Sequence, residues 1–421
     1  MTRTIVFVYG LLLVGAASTA VGQTPQQRSD SLEVELRRLH ARLDSLQRIL
    51  ERLLRAGRDT ARVQDELVAL RAAAVLAAAE GDTSRRRGAP EPEQFVAQTR
   101  NLNRLNPEIS VTGDVRVLGN RPGPQRDNVD VREFEFSFQA VLDPFANTKV
   151  FLTFEDGAID LEEGYVYWTG LPGHLRLDLG RFRQQVGELN RWHSHALPES
   201  EYPLAYREYF GEEGLVGDGI SLFWLAPTGG VIGTQELTLQ ATLGNNEVLY
   251  EDGNRISVLG HLNNFWSLGP SAFLQIGGTA IYGENPGIGL KTSVVGADIR
   301  FSWQPPAQAQ YRSFTLRAEG YAVDKEFGGV GGTRFGGFVS AKYQLDRRWF
   351  LGARYDYVEP LDGGPHRWAL VPHLTWWQSE WAYLRAEWQH HDLPAPTGRT
   401  TNDRFLIQVV WAIGPHKHET Y

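Results

Sequence analysis

Several absences narrow this chain. Its 421 residues include no cysteine, which excludes disulfides, thiolate catalysis and thiolate metal sites, and suits passage through an oxidising periplasm. Beyond the first 25 residues no apolar run approaches the roughly 18–20 residues that a membrane helix needs. A β-barrel escapes that exclusion, because only every second residue of its strands must be apolar. The formal charge is −8, with no basic stripe, so no nucleic-acid partner is expected. Gly-x-Ser-x-Gly, His-Glu-x-x-His and phosphate-loop motifs are all missing. Neither an enzyme nor a cofactor is therefore expected.

What is present falls into four segments. Residues 1–22 have the form of a secretory signal: Arg3, an apolar stretch from Ile5 to Ala17, and small residues at Ser18, Ala20 and Gly22. Over 31–79, Leu32, Leu36, Leu39, Leu43, Leu46, Leu50 and Leu53 recur at four-three spacing, the seam of an α-helical coiled coil. Its phase breaks near Gly57 and resumes at Val63, Leu67 and Leu70. Residues 80–106, with Arg85-Arg86-Arg87, Pro90 and Pro92, read as a linker.

From 107 to 421 the pattern changes to short alternating segments. In Trp381–His390, Ala382, Leu384, Ala386 and Trp388 share one face, while Tyr383, Arg385, Glu387 and Gln389 share the other. About sixteen such strands follow one another, the signature of an antiparallel transmembrane barrel, all-β and preceded by the coiled coil. Short joints such as Leu171-Pro172-Gly173 and Gln378-Ser379-Glu380 alternate with longer ones such as Asp392–Asn402. Short turns belong to the periplasmic end of outer-membrane barrels. Trp168, Trp224, Trp266, Trp303, Trp349, Trp376, Trp377 and Trp381 lie near that end, as residues of a lipid headgroup layer do.

On the polar face, Asp114/Arg116, Arg176/Asp178, Asp298/Arg300, Arg317/Glu319, Arg354/Asp356 and Arg385/Glu387 are opposite charges two residues apart. They are expected to brace the lumen wall as self-cancelling pairs. No one-sign ladder is visible, so strong anion selectivity is not expected. The longest connection, residues 187–217, is too long to be structureless and is expected to fold into the lumen. Arg191, His193, His195, Glu199, Glu201, Arg207, Glu208, Glu212 and Glu213 would then line a constriction. His193-x-His195 and His416-x-His418 each offer only two ligands, too few to predict a metal site.

Leu105–Val115 (LNPEISVTGDV), Gly180–Glu199 (GRFRQQVGELNRWHSHALPE), Phe210–Leu222 (FGEEGLVGDGISL) and Trp411–Tyr421 (WAIGPHKHETY) resemble bacterial outer-membrane porins. The likeness is greatest to the phosphate-selective (O/P-type) group and its uncharacterised relatives, and it covers about three-quarters of the chain. It implies a sixteen-stranded homotrimer in outer-membrane lipid, a constricting third loop, and Tyr421 as an insertion signal. A phosphate-selective member would carry a lysine ladder, which this sequence does not show. The expected function is passive diffusion of small hydrophilic solutes or ions. The alternatives are a barrel that ties the membrane to the cell wall through a periplasmic coiled coil, and a barrel enzyme.

Overall fold

A computed structural model of the chain describes residues 107–121, 128–155, 157–226, 233–250, 255–286, 289–326, 331–395 and 398–414. All belong to the second of two compact units, Val96–Tyr421. The expected signal, coiled coil and linker, together with His416, His418 and Tyr421, lie outside the described residues.

Sixteen antiparallel strands close into a barrel, each bonded to its neighbours in sequence and the last to the first. They are β1 (Glu108–Arg121), β2 (Asn128–Val141), β3 (Ala146–Glu155), β4 (Ala158–Leu171), β5 (Leu175–Arg183), β6 (Val216–Ala226), β7 (Thr234–Leu243) and β8 (Ile256–Ser267). There follow β9 (Ala272–Glu284), β10 (Lys291–Trp303), β11 (Phe314–Lys325), β12 (Thr333–Gln344), β13 (Trp349–Val358), β14 (Arg367–Trp377), β15 (Ala382–Ala395) and β16 (Gly398–Ile413). Closure pairs β1 with β16 from Val111 opposite Ile413 to Arg121 opposite Asp403, so no edge strand is left unpaired.

The molecule is the reverse of a soluble protein. Leu179, Ile220, Leu239, Val295, Leu351, Phe405 and Ile407 are exposed, while Asp114, Glu135, Arg317, Arg354, Arg385 and Gln408 are buried. An apolar exterior around a polar interior requires a hydrocarbon surrounding for the outer face. No helix among the described residues is long and apolar enough to cross a membrane.

Three joints differ from the sequence expectation. β15 ends at Ala395 and β16 begins at Gly398, so the expected Asp392–Asn402 loop is instead an extension of both strands. β3 and β4 likewise approach within a two-residue joint at the end expected to carry only long connections. Conversely, β10 and β11 are separated at the short-turn end by residues 304–313, which include the turn Pro306–Gln308. Local β-pairing wins over Gly and Pro content in the first case, since each extended register adds ladder bonds.

Two irregularities aim charge inward. The register shifts between Asp114 and Val115, leaving Arg132 as an extra residue beside Glu133. It shifts again between Phe151 and Leu152, leaving Glu162 extra beside Glu163. Strict alternation would turn one of Glu162 and Glu163 to lipid; the bulge lets both stay buried at 7% and 5% exposure.

Candidate functional site

The connection from β5 to β6 is anchored inside the barrel. It starts at Gly187, whose φ of +56° suits glycine. A side chain there would also meet the Glu319 carboxylate at 2.2 Å. That carboxylate accepts the backbone N–H groups of Glu188 at 3.1 Å and Leu189 at 2.9 Å. It also accepts the Tyr206 and Tyr321 hydroxyls at 2.6 and 2.5 Å. Two short turns, Leu189–Arg191 and Ser194–Ala196, precede helix α1 (Leu204–Phe210).

α1 starts after Pro203 and stops at Gly211, where φ is +96°. It buries Ala205, Tyr206, Tyr209 and Phe210 with Leu189, Leu197 and Leu215 against Tyr321, Val323, Phe338 and Val358 of the wall. Each large side chain so buried stabilises the docked loop by about 1.5–3 kcal/mol. This aromatic core was missed from sequence, although Tyr202, Tyr206, Tyr209 and Phe210 at helical spacing carry its signal.

On one side of the interior, loop histidines meet wall carboxylates. His193 Nδ1 lies 2.5 Å from Glu135 Oε2 and 2.9 Å from Glu162 Oε2, and Nε2 faces Glu163 Oε1 at 2.9 Å. Arg183 donates to Glu162 at 2.8 Å, and Thr153 to its other oxygen at 2.7 Å. His195 donates from Nδ1 to Glu133 at 2.8 Å and from its backbone N–H at 3.1 Å. Burial disfavours the charged form of both imidazoles, but the carboxylates outweigh it: His193 is held well above the ordinary histidine range by Glu135 and Glu162, and His195 is raised by Glu135 and Glu133.

Across the interior the polarity reverses. Glu199 accepts from Ser340 at 2.7 Å and from Arg354 at 3.2 Å. Ser200 donates to Glu387 from its hydroxyl at 2.6 Å and its N–H at 3.0 Å. Glu201 meets Arg404 at 3.2 Å, Arg207 at 3.2 Å and Arg116 at 3.5 Å. Glu208 accepts from Arg367 and from the Leu361 N–H, both at 3.1 Å. Burial pushes the Glu199 and Glu201 carboxyls up, yet they end lower than usual. His373 and Arg354 win at Glu199; Arg404, Arg207 and Arg116 bring Glu201 down to about 2.

Of the nine loop residues singled out from sequence, most are gathered here, but Glu212 and Glu213 are exposed, Glu212 reaching the network only through Arg207. Arg191 donates to Gln185 at 3.2 Å. Among the expected wall pairs, Arg176–Asp178 and Arg354–Asp356 do pair along their strands, at 2.7 and 2.8 Å. The other four do not. Arg116 binds Asp130 at 2.5 Å, and Asp114 meets Arg132 at 3.4 Å and Gln408 at 2.7 Å. Arg300 and Arg317 both turn to Glu188, at 2.8 and 3.3 Å, leaving Glu319 for the loop backbone. Asp298 lies 3.9 Å from His261. Arg385 donates to Gln408 at 3.0 Å and to the Leu197 carbonyl at 2.9 Å, while Glu387 serves Ser200. A two-residue spacing predicts a shared face, not a partner; the loop supplies competing partners that the strand pattern cannot show.

At the short-turn end Lys149, Arg176, Arg300, Arg317, Lys342 and Arg385 stand within a few residues of the turns, on six different strands. Arg300 and Arg317 are direct register partners. Lys342 and Arg385 border a cavity of about 330 Å³ with Trp192, Phe350, Trp377 and Tyr383. Among the described residues neither cation is ion-paired to a carboxylate, Lys342 lying over the Phe350 ring at 5.9 Å. Of the other four, Arg176 is paired with Asp178, and Arg300 and Arg317 share Glu188.

No known protein-family profile matches the chain. An uncharacterized protein of Aquifex aeolicus is 33% identical over 93 residues, which is 22% of this chain. The chain thus matches only 20% of that relative's length. Among solved structures, Pseudomonas putida OprB superposes with a TM-score of 0.53 at 11% identity, over 74% of this chain and 95% of its own. An anion-selective porin from Comamonas acidovorans gives 0.52 at 10% identity over 73% and 100%. A trimer form of Vibrio cholerae OmpT, an outer membrane protein, gives 0.51 at 10% over 73% and 99%. At such identities the likeness is one of fold.

Proposed function

We propose that this chain is a passive outer-membrane channel for small hydrophilic solutes or ions, assembled as a homotrimer and narrowed by the 187–217 loop. One observation carries the reading: a closed barrel, apolar outside and polar inside, holds a folded loop between opposite inner walls. The solved barrels of the same fold, one recorded as a trimer and one described as an anion-selective porin, support it. Lys342 and Arg385, which have no carboxylate partner among the described residues, favour anions over cations, since uncompensated positive charge in a low-dielectric lumen concentrates its counter-ion.

Planar-bilayer recording tests the proposal. Stepwise conductance is expected, with a reversal potential in a salt gradient on the anion-selective side; a folded oligomer that never conducts would refute it. The leucine seam over 31–79 favours a second role, a periplasmic tether to the cell wall. Deleting residues 24–95 separates the two, because a channel keeps conducting while a tether loses envelope attachment.

A further inference from the structure

The histidine side of the loop has more carboxylate than its protons can serve. His193 offers two ring nitrogens, and Glu163 takes the Nε2 side at 2.9 Å. Nδ1 then confronts two oxygens at once, Glu135 Oε2 and Glu162 Oε2, at 2.5 and 2.9 Å. A proton there can point well at only one of them. Glu135 is only 1% exposed, and neither of its oxygens accepts a hydrogen bond of good geometry. A buried carboxylate held in this way is unfavourable unless a stronger positive charge meets it.

We propose that His193 Nδ1, Glu135 and Glu162 form a binding site for a divalent first-row transition-metal ion, which pins the 187–217 loop to β2 and β4. The three ligand atoms lie within 4.8 Å of one another on buried residues. One imidazole with two carboxylates, and no thiolate, is a donor set that Zn²⁺ and its neighbours accept. Arg183, which also donates to Glu162 Oε2 at 2.8 Å, balances one of the three carboxylates Glu135, Glu162 and Glu163; an ion of charge two balances the other two, where a proton on His193 balances one. The surroundings also support metal ligation. Nε2–H donated to Glu163 fixes the tautomer that leaves the Nδ1 lone pair facing the site, as carboxylates do for metal-bound histidines elsewhere. Thr153 holds Glu162 through its second oxygen at 2.7 Å, and the Phe151 ring lies 4.5 Å from the imidazole. His195 is not a ligand: its ring centre is 6.0 Å away and its Nδ1 is committed to Glu133. The adjacent-but-one histidines therefore do not chelate as a pair.

Binding does not depend on the channel reading; only an effect on current would. A chain that binds metal yet never conducts would keep the site and remove the channel. The test titrates Zn²⁺ into the folded full-length protein carrying H416A and H418A, which removes the C-terminal imidazole pair. One Zn²⁺ per chain at micromolar affinity is expected, weakened at least about tenfold by E135Q and more by H193A, with H195A retaining it. No binding at micromolar Zn²⁺, or equal binding in E135Q, overturns the proposal. Should the variants fail to fold, X-ray absorption on Zn²⁺ bound to the H416A/H418A protein decides: one imidazole among oxygen ligands supports the site, and two imidazoles overturn it.

Discussion

The two sides of the docked loop are built with opposite polarity. At 193–195 the loop presents imidazoles to wall carboxylates Glu133, Glu135, Glu162 and Glu163. At 199–208 it presents carboxylates to wall arginines Arg354, Arg404, Arg116 and Arg367. Either polarity alone would hold the segment to a wall of opposite sign. Together they also fix its orientation: a loop turned end for end would set Glu199 and Glu201 against four buried carboxylates. Like charges at that depth cost several kcal/mol, so the difference between the sides selects one placement.

Breaking the arginine side should have the largest effect. Arg354 holds Glu199 at 3.2 Å, Asp356 at 2.8 Å and the Glu201 carbonyl at 2.8 Å, all deep in the interior. Arg354→Ala strands two buried carboxylates, a loss of about 3–5 kcal/mol. A lower denaturation midpoint and a larger, noisier single-channel conductance are expected. Unchanged values for both would mean that the glutamate side does not retain the loop.

Acid should attack the same side late. Burial raises the Glu201 carboxyl, but Arg404, Arg207 and Arg116 outweigh it and bring it to about 2 from an ordinary 4.5. A depressed carboxyl stabilises the docked state fully above about pH 4.5 and loses that contribution as pH falls through about 2. Its size is on the order of 3 kcal/mol. Stability should thus be insensitive to Glu201 from pH 7 to 5 and fall steeply below, and E201Q should flatten that acid limb. An acid limb of unchanged slope in E201Q assigns it to other groups.

The histidine side offers a smaller, sharper comparison. Glu133→Gln keeps one acceptor for His195 but removes the charge that its Nδ1 and backbone N–H share, at 2.8 and 3.1 Å. A loss of about 1–3 kcal/mol follows, less than for Arg354→Ala, because no second buried charge is stranded. Denaturation midpoints of the two variants measured side by side test the ranking, which reversal would overturn.

How much of this was readable beforehand divides along the same physical line. Strand alternation is local, so Tyr383, Arg385, Glu387 and Gln389 were placed on the inner face from sequence and are buried there. The length of 187–217 marked it as the segment to watch. Partners were not readable, because they are set by register and by what crosses the interior: Glu319 faces Arg317 in the sequence pattern, yet bonds the loop backbone at Glu188 and Leu189. The inward turn of both Glu162 and Glu163 depends on a bulge, which alternation argues against.

The comparison also says where charge should not matter. Arg207 joins Glu212 through two donors, at 2.5 and 2.9 Å, but the Glu212 side chain is 73% exposed. Water screens such a pair and the side chains lose freedom in forming it, leaving under about 1 kcal/mol. Arg207 meanwhile keeps Glu201 at 3.2 Å on its other side. Glu212→Gln should therefore leave the denaturation midpoint and conductance at their wild-type values, while Arg207→Ala weakens the acid resistance that Glu201 provides. If Glu212→Gln proved as damaging as Arg207→Ala, the pair's geometry rather than its burial would govern docking, and the ranking of every contact above would have to be redrawn.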